Sequence, residues 1–177
     1  MDEEIIQEEE SIAEERAADA ARLGAAILHQ PIRKLATLRP ALCVPPTTTV
    51  RSAIERMRQG GVGCVLVEKA GRLVGIFTER DVLTKVVGTT LDIDRKFVDA
   101  VMTPDPEALG PDDLVTYALN KMSVGGFRHI PLVDADERPV GIVSMRNVVD
   151  FIAELFRTQV LNLPPSPNNI TRTREGA

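Results

Sequence analysis

Apolar residues recur along the chain in two rhythms, and the alternation between them is itself repeated. Val50, Ala53, Ile54 and Met57 fall at i, i+3, i+4 and i+7, the spacing of one buried helix face. Directly after them comes a continuous apolar run, Cys64-Val65-Leu66-Val67, short and rich in strand-forming residues. Gly71-Arg72-Leu73-Val74-Gly75-Ile76-Phe77-Thr78 follows as a second strand, and a further helical stretch runs from Glu79 to Val87.

The same order then returns. Val115, Ala118, Leu119 and Met122 repeat the helical spacing, and Ile130-Pro131-Leu132-Val133 repeats the apolar run. Glu137-Arg138-Pro139-Val140-Gly141-Ile142-Val143-Ser144 is the next strand, and Met145 to about Phe156 the closing helix. Ala53 and Ala118 are 65 residues apart and Gly75 and Gly141 are 66 apart, so the copies differ by one inserted residue. Internal repetition of this kind sets the architecture.

Each copy reads as strand, helix, strand, strand, helix. Ala41-Leu42-Cys43-Val44 supplies the opening strand of the first, and Glu107-Ala108-Leu109 its weaker counterpart in the second. Pro45-Pro46 and Gly110-Pro111 break the chain before each following helix, where Thr48 or Thr49, and Asp112 or Asp113, are candidate N-caps. Strands this apolar are buried on both faces and call for helices over a sheet. A unit of about 55 residues buries too little surface to stand alone comfortably. The expected fold class is therefore α/β, with two β-α-β-β-α repeats, residues 31–90 and 97–160, packed as a pseudo-two-fold pair.

The ends are different material. Residues 1–30 carry nine acids against Arg16 and Arg22, and their Ala/Glu composition predicts a helix with a weak, mostly alanine stripe. Such a helix is either solvated or packs on the repeats or a partner. Residues 162–177, containing Pro164-Pro165-Ser166-Pro167, read as a disordered tail.

Composition narrows the function. Net charge is −5, carried by the acidic N-terminus, and the remainder shows neither a basic face nor the aromatics that stack on bases, with no Trp and one Tyr. That pattern argues against nucleic acid. No apolar run approaches the roughly 20 residues of a membrane span, and the N-terminus is acidic where a secretory signal is basic. The expectation is a cytoplasmic protein. Cys43 and Cys64 sit in apolar stretches and read as small buried hydrophobes. His29 and His129 are the only histidines, with no motif to hold a metal and no activated nucleophile, so catalysis is not expected.

Two segments carry a family resemblance. Gly71-Arg72-Leu73-Val74-Gly75-Ile76-Phe77-Thr78-Glu79-Arg80-Asp81 resembles the signature of a CBS domain. So does Phe127-Arg128-His129-Ile130-Pro131-Leu132-Val133-Asp134, followed by Gly141-Ile142-Val143-Ser144-Met145-Arg146-Asn147. The resemblance covers roughly residues 31–157. It implies tandem repeats assembling into disc-shaped homodimers, with adenosyl ligands in clefts between the repeats. The helices Glu79–Val87 and Met145–Phe156 would then form the dimer face.

The family's ligand motif is a Gly, two apolar residues, Ser or Thr, two variable residues and Asp. Thr78 stands at a helix start, and Asp81 can accept hydrogen bonds from both hydroxyls of a ribose, a charge-assisted pairing. The same Thr-x-x-Asp spacing is also a capping box, and the two roles can coexist. The resemblance further implies that Arg128 and His129 enter the Thr78/Asp81 cleft from the other repeat, with Pro106, Glu107 and Ala108 near its base. Arg128 suits a phosphate; the plainer alternatives are a surface ion pair for Arg128 and a polar strand end for His129.

The second copy departs from the motif. Ser144 keeps the hydroxyl, Asn147 replaces the acid, and Gly61-Val62-Gly63 opposite bring no charge, leaving Arg146 as partial compensation. This cleft is expected to be the weaker one. The resulting expectation is a non-catalytic sensor of AMP, ADP, ATP or S-adenosylmethionine, acting as regulatory ligand on an unidentified protein. A homodimerisation scaffold with unused clefts is the other class.

Overall fold

The computed structural model describes residues 24, 29–35 and 40–155. Of the expected N-terminal helix over residues 1–30 only positions 24, 29 and 30 are described, and the tail at 162–177 lies outside the described residues.

Within each repeat the apolar rhythm becomes structure as read. Helix α1 (Val50–Gly60) buries Val50, Ala53 and Met57 on one face. Thr49 is its N-cap, accepting the Ser52 N–H, and Gly61 ends it in the left-handed conformation at φ 57°. Strands β2 (Cys64–Lys69) and β3 (Arg72–Thr78) form an antiparallel hairpin. Its two-residue turn, Ala70 and Gly71, has positive φ at both positions (54° and 80°), the geometry that matches strand twist.

The second repeat reproduces this down to an irregularity. Helix α3 (Val115–Gly125) buries Val115, Ala118 and Met122, and β5 (His129–Val133) pairs antiparallel with β6 (Pro139–Ser144). The register slips between Val67 and Glu68 in one hairpin and between Leu132 and Val133 in the other, at equivalent positions. The opening strands are less equal. β1 (Cys43–Val44) runs parallel to β2, whereas Glu107-Ala108-Leu109 forms no strand and makes a single parallel bridge, Leu109 to Leu132. Pro131 has no N–H to make the bond that Leu66 makes to the Leu42 carbonyl in the first repeat, and Pro111 has none to extend the pairing in the other direction.

Two other expectations change. Neither Asp112 nor Asp113 caps α3: Leu114 stands at the cap position, while the Asp113 carboxylate accepts the Gly110 N–H at 2.7 Å. The stretch Glu79–Val87 is not one α-helix. It starts as a single turn, α2 (Glu79–Asp81), widens to a π-helix over Val82–Val86, and closes with the Val87 N–H on the Val82 carbonyl. By contrast α4 (Met145–Leu155) is regular throughout.

The repeats are joined by crossed arms. Ile32 donates to the Asp113 carbonyl and Val115 to that of Gln30, so a short 3-10 turn at Ile32–Lys34 packs on the second repeat. Equivalently, Val98 donates to Thr48 and Val50 to Lys96, placing the turn Val98–Ala100 on the first repeat. Ile32 and Leu35 are buried with Val115, Ile130 and Val143, and Val98 and Val101 with Val50, Val65 and Phe77. A third cluster, Cys64, Leu66 and Ile76 with Ile142, lies where the hairpins face each other. Arg72 and Glu137 add an exposed ion pair at 3.2 Å across that junction. Beyond Val101, β4 (Thr103–Pro104) returns to pair with β3 opposite Gly75 and Ile76. Among the described residues no helix is long and apolar enough to cross a membrane.

Candidate functional site

The end of β3, the start of α2, the segment after β4 and the start of β5 converge on one cavity of about 370 Å³. That lies at the small end of the range of small-molecule sites. Thr78, Asp81, Pro106, Glu107, Arg128 and His129 all line it, and Ala108 does not. Glu79, Arg80, Asp105 and Phe127 also line it and were not singled out from sequence.

Thr78 and Asp81 form a reciprocal cap. Asp81 Oδ2 accepts the Thr78 N–H at 2.9 Å and the Thr78 hydroxyl at 2.7 Å, and the Asp81 N–H returns to Thr78 Oγ1 at 3.2 Å. Asp81 is the buried charged residue of the described chain, 6% exposed. Its other oxygen, Oδ1, meets Lys85 Nζ at 2.6 Å. The cap therefore uses one carboxylate oxygen and leaves lone pairs on the second.

Ser144 and Asn147 build the same cap in the second repeat. Asn147 Oδ1 accepts both the Ser144 N–H and hydroxyl at 2.7 Å, and Ser144 Oγ accepts the Asn147 N–H at 3.3 Å. An amide has only one oxygen, and here it is already engaged twice. What remains on Asn147 is a donor group. Arg146 lies 88% exposed and pairs with Asp150 along the outside of α4. Gly63, expected opposite Ser144, lines the Thr78/Asp81 cavity instead.

Gly63 is there because His129 needs the space. A Cβ on it would stand 3.0 Å from His129 Cε1 and 3.3 Å from Glu79 Oε2. Burial pushes the His129 imidazole below the usual histidine value, with Glu79 opposing that shift and Arg128 adding to it. At neutral pH the imidazole is thus uncharged. Arg128 projects from the same strand end, exposed, and its guanidinium has no partner among the described residues. Arg80 is tied instead, donating to the Gly126 carbonyl at 2.7 Å and so bridging the repeats at the rim. Phe127 folds back over Gly125, where a Cβ would collide with its ring. Asp105 holds a left-handed backbone, φ 45°, directly before Pro106, a conformation that costs a non-glycine residue energy and clusters at ligand sites.

The chemistry of the lining is mixed: four carboxylates (Glu79, Asp81, Asp105, Glu107), two guanidiniums and one neutral imidazole. Glu107 is ion-paired with Lys121. No group of three or more His, Cys, Asp or Glu among the described residues could hold a metal. Both thiols lie outside the cavity lining, and burial pushes Cys43 up to about 11 and Cys64 up to about 12.

Fold and site together define a tandem α/β repeat pair with a cavity lined jointly by both repeats. The CBS domain family model matches residues 32–88 and 98–154, and the chain belongs to the CBS domain family. It is 40% identical over 107 residues to the CBS domain-containing protein CBSCBSPB3 of Arabidopsis thaliana, covering 60% of this chain and 19% of that protein. The chain thus spans about a fifth of that relative's length. An uncharacterized 17.7 kDa protein of Acidianus ambivalens is 33% identical over 117 residues, 66% of this chain and 70% of its own. Among solved structures, CBSX2 in complex with AMP superimposes with a TM-score of 0.60 at 26% identity, covering 72% of this chain and 98% of that one.

Proposed function

We propose that this chain is a non-catalytic regulatory module that binds AMP in the cleft between its two CBS repeats. The observation that carries the reading is the meeting, in one cavity, of Asp81 from the first repeat and Arg128 from the second. Asp81 Oδ1 can accept a ribose hydroxyl, and the Arg128 fork can take a phosphate. The binding of AMP by CBSX2, a structural neighbour, supports the same assignment.

Charge favours a monophosphate over a polyphosphate. Four carboxylates line the cavity, and of the two guanidiniums Arg80 is engaged with Gly126. ADP and ATP would bring more negative charge than Arg128 alone can meet. The reading assigns no catalytic step to the cleft: the Thr78 hydroxyl donates to Asp81 Oδ2, the same oxygen that accepts the Thr78 N–H in the helix cap.

A ligand that touches both repeats favours the conformation in which they are closed, and that differential affinity is what a sensor requires. The output would pass to a separate protein or through a dimer. Leu83 and Val149 occupy equivalent positions in the two repeats and are 68% and 55% exposed, as a face shared with a second copy would be in the free chain. Light scattering should report a homodimer that Leu83→Asp converts to monomer; a wild-type monomer would remove the dimer from this account.

These exposed apolar positions also favour a second reading, a dimerisation scaffold whose cleft goes unused. Thermal unfolding with AMP, ADP, ATP and S-adenosylmethionine separates the two, once the purified protein has been checked for carried-over nucleotide. Ligand at 100 times its Kd stabilises by about 2.7 kcal/mol, and AMP should give the largest rise in midpoint. A midpoint unmoved by all four, in nucleotide-free protein, would leave the scaffold.

A further inference from the structure

Lys85 does not line the cavity, yet it holds two of its walls together. Its ammonium meets Asp81 Oδ1 at 2.6 Å and donates to the carbonyls of Val101 at 2.9 Å and Met102 at 3.4 Å. All three ammonium hydrogens are thereby used. On one side they reach the carboxylate that faces the cavity. On the other they reach the residues leading into β4, beyond which Asp105, Pro106 and Glu107 form the opposite lining.

With Oδ2 held by Thr78 and Oδ1 by Lys85, the Asp81 carboxylate is fixed at both oxygens. Asp81 lines the cavity and Lys85 does not, and one ammonium hydrogen occupies one lone pair of Oδ1, which leaves the other for a ligand. The second repeat has no such clip, because Phe151 stands where Lys85 would be and Asn147 where Asp81 would be. The backbone differs as well, π-helical over Val82–Val86 but regular in α4. Single π turns inside helical stretches recur at functional sites.

We propose that Lys85 is a positioning residue of the nucleotide cleft, aiming the Asp81 carboxylate at the ribose and tying it to the Asp105–Glu107 wall. This inference rests on the AMP reading and specifies which ligand contact Lys85 controls.

The test is the affinity of wild type and Lys85→Met for AMP, 2′-deoxyAMP and 3′-deoxyAMP, measured by titration calorimetry. Loss of a hydrogen bond to a charged group should weaken at least one deoxy analogue by roughly tenfold or more in wild type. In Lys85→Met, AMP should weaken by about tenfold while that analogue changes little, bringing the two within about threefold of each other. A purely structural role would weaken all three ligands alike. Should that occur, with the wild-type preference for AMP preserved, this inference fails and the AMP reading stands. Absence of AMP binding by wild type overturns both. Should Lys85→Met fail to fold, Lys85→Gln, which keeps a donor and removes the charge, gives the same comparison.

Discussion

The Met102 side chain lies against Gly75 where a Cβ would stand, so any larger residue at position 75 must displace it. A Cβ there would lie 3.0 Å from both Cγ and Cε of Met102, and nearer still to the sulfur between them. Gly75 pairs with Pro104 across β3 and β4, so this contact seats the strand that leads into the cavity wall. Gly75→Ala should cost about 1–3 kcal/mol by overpacking. Chemical denaturation checks the figure, and Met102→Ala in the same chain should recover part of the loss. An unaltered Gly75→Ala would show that the wall is not anchored this way.

The crossed arms give a regional prediction. Ile32 is fully buried in the core of the second repeat, although in sequence it stands at the start of the first. Ile32→Ala should destabilise by about 2–5 kcal/mol. Hydrogen exchange should show protection lost in β5 and β6 while β2 and β3 keep theirs. Loss confined to the first hairpin would contradict the crossing.

His129 sets a pH dependence. Its folded-state value lies below the ordinary 6.5, so as pH falls the unfolded chain takes up this proton before the folded one does. The contribution to stability is therefore fully present above 6.5 and lost as pH falls through 6.5 toward the lower folded value. Urea midpoints measured between about pH 7 and pH 5 should fall more steeply for wild type than for His129→Gln. Equal slopes would mean that His129 is not desolvated as described.

Much of the fold was legible because the sequence states it twice. Helices at 3.6 spacing and strands as short apolar runs recur at an offset of 65 or 66, and both hairpins form where those patterns predict. The arms were not legible. Each rests on one bridge, Pro31 to Leu114 and Phe97 to Thr49, in segments too short to show any period.

Site residues that sit at strand ends beside the repeat motif, Thr78, Asp81, Arg128 and His129, could be named from sequence and surround one cavity. Ala108, which the family resemblance put near the base of the cleft with Pro106 and Glu107, is not among the residues lining this cavity. Gly63 was assigned to the opposite cleft because pseudo-symmetry does not reveal that the His129 ring lies against it. Lys85 left a faint signal, four residues after Asp81, but its bonds to Val101 and Met102 depend on the arm.

The difference between Asp81 and Asn147 bears most directly on the central claim. Both residues cap a helix with one oxygen, and only Asp81 has a second. Asp81→Asn therefore copies the second repeat's cap into the first, keeping the helix start while removing the charged acceptor. The decisive measurement is calorimetric titration of AMP into wild type and Asp81→Asn, both freed of nucleotide. The account predicts one strong site per chain, weakened roughly 10- to 150-fold in the variant by loss of a charge-assisted bond of about 1.5–3 kcal/mol. Equal affinity in the two proteins, or no binding to either, would contradict it.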